Sequence, residues 1–284
     1  MALSPRIPSA IDAAGFIPEV WSAKVLDPVK NKLVCVPVID HRWVADLKKG
    51  DTVNVGILNT VTATEVTVGT AGPVKDIATG SKLQIVADQW WEANVELDEM
   101  SYEQSQVELE NKAAIETAYA VAKKMDSTVN ALFSALTGAS IAGTDGSAIT
   151  DDVLIGLVEA LDEADVPTED RVWIGDPSCR ADIMKIDKFV RDDYGYGDVI
   201  PTGAFRKNVY GSPWLITNNL TAATTGSYGA YLHKEAIAFV GSETIRGFVE
   251  HQKKEHLYLI NSTALWGVLE MRDAFGKSFY TRLA

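Results

Sequence analysis

The segment from Ser101 to Thr137 contains neither glycine nor proline and has the pattern of one long helix. Ser101 and Gln104 fit a capping box at its start, and Gly138 fits a left-handed stop at its end. Its apolar residues recur every three or four positions, as on the buried face of an amphipathic helix: Ala118, Val121, Ala122, Met125, Val129, Leu132, Phe133 and Leu136. Unbroken, this helix is about 55 Å long, whereas a compact sphere of 284 residues is about 50 Å across. The sequence therefore predicts an elongated or flat molecule built along one helical spine.

Residues 50–92 have a different pattern, in which threonine, valine and glycine dominate and apolar residues alternate with polar ones. The alternation begins at Val53, Val55 and Ile57 and reappears further along the segment. Alternation with a period of two, between breaks that contain glycine and asparagine, predicts the two arms of a β-hairpin. Its apolar face is thin, and an isolated hairpin is marginally stable in water. We therefore expect this hairpin to lie on another surface, in the same chain or on a neighbouring copy.

The remaining segments predict a mixed α+β chain. Residues 1–16 have no periodicity and are expected to form an extended arm, and residues 191–213 resemble a loop. The other predicted helices are Ile17–Lys32, one capped by Thr150 or Asp151, and Pro177–Asp187, which Asp176 opens. The predicted strands are Leu33–Ile39, Arg171–Gly175, Trp214–Thr217, and the mostly β stretches Tyr228–Val240 and Arg246–Met271.

The composition excludes several classes of protein. The chain has 26 Lys and Arg against 39 Asp and Glu, a formal charge of −13, which argues against a protein that coats nucleic acid through phosphate contacts. A hydrophobic fraction of 46% excludes wholesale disorder. No apolar run approaches the ~20 residues of a membrane span, and the first residues show no secretory signal. Two cysteines, Cys35 and Cys179, without a CxxC motif indicate a reducing compartment.

No group of residues in the sequence forms a convincing catalytic site. His251 and His256 are five positions apart, whereas a zinc-binding helix needs a spacing of four and a further ligand. Cys179 lies near a predicted helix start, but no histidine or asparagine close to it supports a nucleophile. Gly195 and Gly197 lack the third glycine of a dinucleotide-binding loop. We therefore predict no cofactor and no metal, and the absence of a catalytic group favours a structural role.

Trp90 and Trp91 end the hairpin segment and precede a run of acidic residues. The run consists of Glu92, Glu96, Asp98, Glu99, Glu103, Glu108 and Glu110. Paired carboxylates perform acid–base chemistry in some active sites, but these are too many and too regularly spaced for that role. We expect them to form a solvated face or an interface.

Six segments, taken in order, resemble the major capsid proteins of tailed bacteriophages, whose coat fold was first known from the Hong Kong phage. They are FIPEVWSAKVLDPVKNKLV (16–34), KKGDTVNV (48–55), KKMDSTVNALFSAL (123–136), RVWIGDPSCRADIMKID (171–187), NVYGSPWLITNNL (208–220) and YLHKEAIAFV (231–240). None of them is a catalytic signature, and the match depends on their shared order. The likeness covers nearly the whole chain.

The resemblance implies a structural protein, not an enzyme, with five regions. These are an N-terminal arm with the first helix and strand (1–49), an extended loop (50–92), a peripheral domain with the spine helix (93–144), an axial domain (145–245) and the C-terminal strands of the peripheral domain (246–284). The residues expected at contacts between subunits are Val53, Val55, Ile57, Lys75, Lys82, Trp90 and Trp91.

The resemblance also implies self-assembly into hexamers and pentamers of an icosahedral shell that encloses double-stranded DNA. Such a late protein is assembled in the host cytoplasm and is located in the virion, with no membrane. Packaged DNA slides more easily against an acidic wall than against a basic one. Because only sixteen residues precede Ile17, a separate scaffolding protein is expected, and a portal and a decoration protein are further expected partners. Two alternatives stay open: an encapsulin-like nanocompartment shell, and a small-molecule enzyme on an α+β fold.

Certain members of this family lock the shell covalently by joining an extended-loop lysine to an asparagine of a neighbouring subunit, with a glutamate as base. Here the available residues are Lys75 or Lys82, Asn261 and Glu270, but no local motif ties them together. Lys75 lies beside Asp76, where a solvated ammonium group is the default. We therefore expect no crosslink.

Overall fold

A computed structural model describes residues 30–31, 33–47, 51–58, 61–69, 71–72, 74, 77–104, 109–136, 141–190, 208–241 and 245–282. Its helices are α1 (Glu99–Gln104), α2 (Leu109–Ala131), α3 (Asp151–Glu163), α4 (Pro177–Ile183) and α5 (Asp187–Val190). Its strands are β1 (Thr52–Leu58), β2 (Ala78–Val86), β3 (Gln89–Asp98), β4 (Arg171–Gly175), β5 (Asn208–Val209), β6 (Ser212–Ile216), β7 (Tyr228–His233), β8 (Ile237–Gly241), β9 (Arg246–Gln252), β10 (Leu257–Glu270) and β11 (Gly276–Tyr280). The predicted mixed α+β class is confirmed.

Several expectations fall outside the described residues. They are the arm at 1–16, nearly all of the Ile17–Lys32 helix, the Gly138 stop and the pair Gly195 and Gly197. The described chain starts at Lys30, next to α2. There the Tyr119 hydroxyl donates to the carbonyl of Asn31 (3.2 Å), and Lys30 pairs with Glu116 (2.9 Å).

The strand predicted over Leu33–Ile39 is wrong. Residues Val36–Val38 form a short 3-10 helix that contains Pro37, which has no N–H for a strand ladder. The backbone N–H groups of Cys35 and Val36, the two residues before Pro37, donate to one carboxylate oxygen of Asp126 on α2 (2.8 and 3.3 Å). A buried side chain from α2 therefore replaces the sheet partner that a strand would need.

Helices α1 and α2 cover most of the predicted spine helix, but the observed helix starts earlier than predicted. It begins at Glu99, directly after β3, and not at Ser101. The backbone N–H of Glu99 donates to the carbonyl of His256, in the turn between β9 and β10 (3.0 Å). The start is thus held by a contact with a turn that is distant in the sequence.

The regular helix also ends before the predicted Thr137. It stops at Ala131, and Leu132–Ser134 continue as a 3-10 turn. In this turn the carbonyl of Phe133, whose side chain is fully buried, accepts from the N–H of Leu136 and from the Ser278 hydroxyl of β11. The 23 residues of α2 span about 35 Å.

A four-stranded sheet packs on α2. Strand β10 is its centre: β3 pairs along one side, and β9 and then β8 pair along the other. Alternate residues of β10 point to α2 and are buried: Ile260, Ser262, Ala264 and Trp266. Opposite them, Val121, Met125 and Val129 form the buried stripe of α2. This is the largest core cluster, and it confirms the predicted apolar face of the helix.

A five-stranded sheet, in the order β11-β7-β4-β6-β5, forms the rest of the fold. Leu154, Leu157 and Leu161 of α3 pack on one face of it. The ring of Trp173 is stacked on the rings of Tyr231 and Trp214, with centroid distances of 3.7 Å and 5.2 Å. Burial of these rings makes this face a second core.

Two other predicted elements are confirmed in part. Arg171–Gly175 is strand β4, and Asp176 opens the following helix by accepting from the N–H of Cys179 (3.0 Å). That helix ends at Ile183 and not at Asp187, where the separate helix α5 begins.

The predicted division at residues 245 and 246 does not follow the sheets. Strand β8 (Ile237–Gly241) pairs with β10 in the four-stranded sheet, whereas β11 (Gly276–Tyr280) pairs with β7 in the five-stranded sheet. The chain thus returns from the four-stranded sheet to the five-stranded one near its end. The sequence pattern shows strands but not which strands pair, so it missed this exchange.

Candidate interaction surfaces

The hairpin of β1 and β2 is confirmed and stands on the four-stranded sheet. The two strands are antiparallel, with Thr52 opposite Val86 and Gly56 opposite Lys82. At its base, a third buried cluster consists of Ile85, Ala87, Ala238 and Val240. Val53 and Val55 are half-buried against this cluster, so their apolar side chains already have a partner within the chain.

Beyond the base, the hairpin exposes its apolar residues. Of the eighteen large hydrophobic side chains exposed in the described residues, ten lie between residues 50 and 92. They are Ile57, Leu58, Val61, Val66, Val68, Val74, Ile77, Val86, Trp90 and Trp91. The exposure of Val68 and Val74 is almost complete, at 101% and 98%. Eight of the ten lie between the start of β1 and the end of β2, and such a concentration of apolar side chains in one element marks an interaction surface.

Charged residues surround the base of the hairpin. The carboxylate of Asp40 is buried and accepts from Arg42 (2.6 Å), and Arg42 also pairs with Glu235 (3.1 Å). Glu235 in turn pairs with Arg272 (3.7 Å). The hydrogen bond that Arg42 donates to Asp40 raises the pKa of Arg42. Arg42, Glu235 and Arg272 line a cavity of about 410 Å³ beside the hairpin.

Trp90 and Trp91 do not belong to the hairpin, contrary to the sequence interpretation. Both lie in β3, and they point to opposite faces of the four-stranded sheet. Trp90 is 76% exposed and lies opposite Leu265 on the face away from α2. Trp91 lies opposite the buried Ala264, and the ammonium group of Lys124 is 4.2 Å from its ring. The alternating pattern of the hairpin continues into β3, because β2 and β3 are both strands. The pattern therefore does not show where the hairpin ends.

The part of the acidic run that lies on β3 is solvated, which is one of the two roles expected for the run. Glu92, Glu96 and Asp98 are exposed along β3. Sequence reasoning missed the role of Glu99, which accepts from His256 (3.0 Å) and lies 3.5 Å from His251. Strand pairing of β9 with β10 brings both histidines to one carboxylate, which their spacing of five does not reveal.

Of the residues considered for a covalent crosslink, Asn261 and Glu270 lie far apart within one chain. Lys75 lies outside the described residues, and Lys82 is exposed on β2. The amide of Asn261 donates to Asn94 and, at 3.3 Å, to Glu92. Glu270 is nine residues from Asn261 on the same strand, about 30 Å away.

Burial, followed by the hydrogen bond and the charge of Asp273, raises the pKa of Glu270 to about 6. The folded protein therefore binds more protons than the unfolded chain between pH 4.5, the ordinary pKa, and pH 6. Across this window, the contribution of Glu270 to the free energy of unfolding falls as the pH rises. The Glu270→Gln variant should therefore gain stability relative to the wild type as the pH increases.

Thermal unfolding at several pH values between about 4 and 7 measures this gain. The midpoint of Glu270→Gln, minus that of the wild type, should rise through the window and then level off. Asp273→Asn is the matched variant, because it removes the neighbour that raises the pKa and should weaken the dependence. A difference that does not change with pH would contradict the assignment to Glu270.

The buried cysteines are not activated as nucleophiles. Burial raises the pKa of the Cys179 thiol, and the carboxylate of Asp176 raises it further. Burial also raises the pKa of Cys35, with Asp126 as the second cause. In the described part of the chain, no group of three His, Cys, Asp or Glu residues is arranged to hold a metal ion. None of the described helices is long and apolar enough to cross a membrane.

Comparison with known proteins gives structural matches only. No family model and no curated protein matches the sequence. A structure from Mycobacterium phage Che8 is similar, with 19% identity and a TM-score of 0.80, over 93% of this chain and 97% of that chain. The capsid structure of cyanophage P-SCSP1u has 15% identity and a TM-score of 0.77, over 99% and 100% of the two chains. The mature capsid of bacteriophage PhiM1 has 15% identity and a TM-score of 0.73, over 93% and 92%.

These similarities extend over nearly the full length of both chains in each pair. They therefore concern the architecture of the whole chain and not a single shared motif. This chain has the fold of the phage capsid proteins, the Hong Kong phage-type coat fold that six segments of its sequence resemble.

Proposed function

We propose that this chain is the major capsid protein of a tailed bacteriophage or a related particle. In this role it assembles as hexamers and pentamers into an icosahedral shell that encloses double-stranded DNA. The observation that carries the proposal is the projecting hairpin, which exposes its apolar residues on a chain whose whole fold matches phage capsid structures. A neighbouring copy of the chain supplies the surface that these residues lack.

The regions of the chain take the following roles in this proposal. Residues 51–87 form the extended loop, with the boundary moved from 92 because β3 belongs to the sheet. The four-stranded sheet and α2 form the peripheral domain, and the five-stranded sheet with α3 and α4 forms the axial domain around the capsomer axis. Among the residues first expected at subunit contacts, exposure favours Ile57, Lys82 and Trp90 over Val53 and Val55.

The charge of the chain supports enclosure of DNA without tight binding. A net charge of −13 on each copy gives a shell with a strongly acidic surface. Phosphates are repelled by such a surface, so DNA is held by confinement and not by contacts with individual subunits. Scaffolding, portal and decoration proteins remain predicted partners.

Assembly of the purified protein tests the proposal. The protein should sediment as capsomers or particles, and negative-stain images should show rings or closed shells. Packaged DNA in particles from the source would separate a capsid from a nanocompartment, which would contain protein cargo. A monodisperse monomer at high concentration would contradict the proposal.

We expect the assembled shell to lack covalent crosslinks. Asn261 is hydrogen-bonded to β3, and Glu270 lies at the other end of β10. Particles boiled in detergent should therefore migrate as single chains near 30.8 kDa. A ladder of oligomers that Lys82→Ala or Lys75→Ala removes would show the opposite.

A further inference from the structure

Strand β9 presents an open edge to solvent. Its pairing with β10 uses one side of the strand, and no other described strand pairs with it. The residues from Arg246 to His251 are all exposed, including Phe248 at 57% and Val249 at 50%. An exposed strand edge that carries apolar side chains is a template for pairing with another chain.

The sequence of β9 is complementary to itself in the antiparallel direction. When Phe248 lies opposite its own copy, Arg246 of each strand lies opposite Glu250 of the other, and Gly247 lies opposite Val249. Arg246, Phe248 and Glu250 share one face of the strand, because side chains alternate between faces. This face therefore carries one aromatic pair between two ion pairs, which are favourable partners across antiparallel strands.

We propose that β9 pairs with β9 of a second copy across a twofold axis that passes through Phe248. The two four-stranded sheets then become one continuous sheet of eight strands. The inference rests on the proposed function, since a shell of hexamers and pentamers needs contacts between capsomers as well as within them. A twofold contact joins the same patch of both subunits, so the patch must be complementary to itself.

The charges select this register over its neighbours. A shift of one residue places Phe248 opposite Val249 and leaves Arg246 opposite His251, and a shift of two places Glu250 opposite Phe248. Only the register centred on Phe248 pairs Arg246 with Glu250. Within the described residues neither of these two side chains has an ion-pair partner in its own chain.

The second copy also accounts for the small residue in the strand. A Cβ added to Gly247 would meet no atom within 4 Å in the monomer, so the chain itself does not require glycine there. In the paired sheet, Gly247 lies opposite the larger Val249 of the second copy, on the face away from Phe248. The small and large residues fill one another's space, which leaves no gap between the strands.

A cysteine at the axis tests the pairing directly. Residues directly opposite in antiparallel strands have Cα atoms about 4.5–5.5 Å apart, which is within the range of a disulfide. Phe248→Cys should therefore form a disulfide with its own copy under mild oxidation. Glu250→Cys is the control, because its two copies are displaced by four residues, about 13 Å along the strand. The native cysteines, Cys35 and Cys179, are buried and do not compete.

Non-reducing electrophoresis measures the fraction of disulfide-linked dimers, whether or not the protein has assembled into particles. Most of the Phe248→Cys protein should migrate as dimers, and the Glu250→Cys protein as single chains. Dimers from both variants, or from neither, would overturn the pairing. Negative-stain images of the same samples report on assembly separately, so shells without Phe248→Cys dimers would reject the pairing and leave the proposed function in place.

Exchange of the charges provides a second test. In the Phe248→Cys background, Arg246→Glu places four carboxylates around the axis and should lower the yield of dimer several-fold. The double exchange of Arg246→Glu with Glu250→Arg restores two opposite pairs and should restore the yield. Recovery only in the double variant supports this register, and equal yields in all variants would contradict it.

Discussion

Removal of residues 57–81, with an Asn-Gly turn joining Gly56 to Lys82, should abolish assembly and leave the body of the protein folded. Gly56 and Lys82 are direct partners in the hairpin, so a two-residue turn closes the shortened strands in a favoured geometry. The base survives, because Val53, Val55 and Ile85 still pack on the sheet. The deleted exposed apolar residues belong to no core cluster: Ile57, Leu58, Val61, Val66, Val68, Val74 and Ile77.

Circular dichroism and thermal unfolding measure the fold of this variant, and sedimentation with negative-stain images measures its assembly. A second variant keeps the full hairpin and replaces Val66, Val68 and Val74 with threonine, which has nearly the same shape. If apolar contact with a neighbouring copy drives assembly, this variant should also assemble poorly. Particles formed by the deletion variant would show that the hairpin is dispensable, and an unfolded deletion variant would place the hairpin in the core.

Elements with a strong local pattern were predicted well from the sequence. The arms of the hairpin and helix α3 each carry a period that predicts their type, strand β4 is a short apolar run, and each lies where the pattern places it. The Asp176 cap was also found, since it acts on an N–H only three residues away. Such features depend on neighbours in sequence, and therefore the sequence alone shows them.

Most of the errors in the fold have a common physical cause, which is a partner distant in the sequence. Asp126 is 91 residues from Cys35 and binds the N–H groups that a strand would use. Ser278 is 145 residues from Phe133, and its hydroxyl donates to the Phe133 carbonyl near the end of the predicted helix. The exchange of β8 and β11 between the sheets is another case, because the alternation of residues along a strand does not show which strand it pairs with.

The interaction surfaces were predicted less completely than the fold. The sequence indicated that the hairpin needs a partner, but it did not show that Val53 and Val55 already have one at the base. It also did not show the open edge of β9, which depends on the pairing of β9 with β10 on one side only. A surface is defined by what the rest of the chain leaves uncovered, and that requires the tertiary structure.

The second large effect is expected at Gly267, where the hairpin meets the sheet. A Cβ added to Gly267 would lie 1.9 Å from the carbonyl oxygen of Val86 and 2.9 Å from the Cα of Ala87. Both atoms belong to the backbone, so no side-chain rotation relieves the overlap. Gly267→Ala must therefore push the base of the hairpin off β10. Overpacking of this kind costs about 3 kcal/mol, or about 6 °C in Tm for a chain of this size.

The loss of stability should be accompanied by a loss of assembly, because the shifted base turns the whole hairpin away from its direction in the wild type. Gly156→Ala is the matched control: it makes the same substitution on the exposed side of α3, where a Cβ meets no atom within 4 Å. Alanine is favoured over glycine inside a helix by about 1 kcal/mol, so this control should be slightly more stable than the wild type and should still assemble. Thermal unfolding and negative-stain images compare the two variants. If Gly267→Ala unfolds at the wild-type temperature and forms normal particles, the close approach of Val86 to β10 does not set the direction of the hairpin.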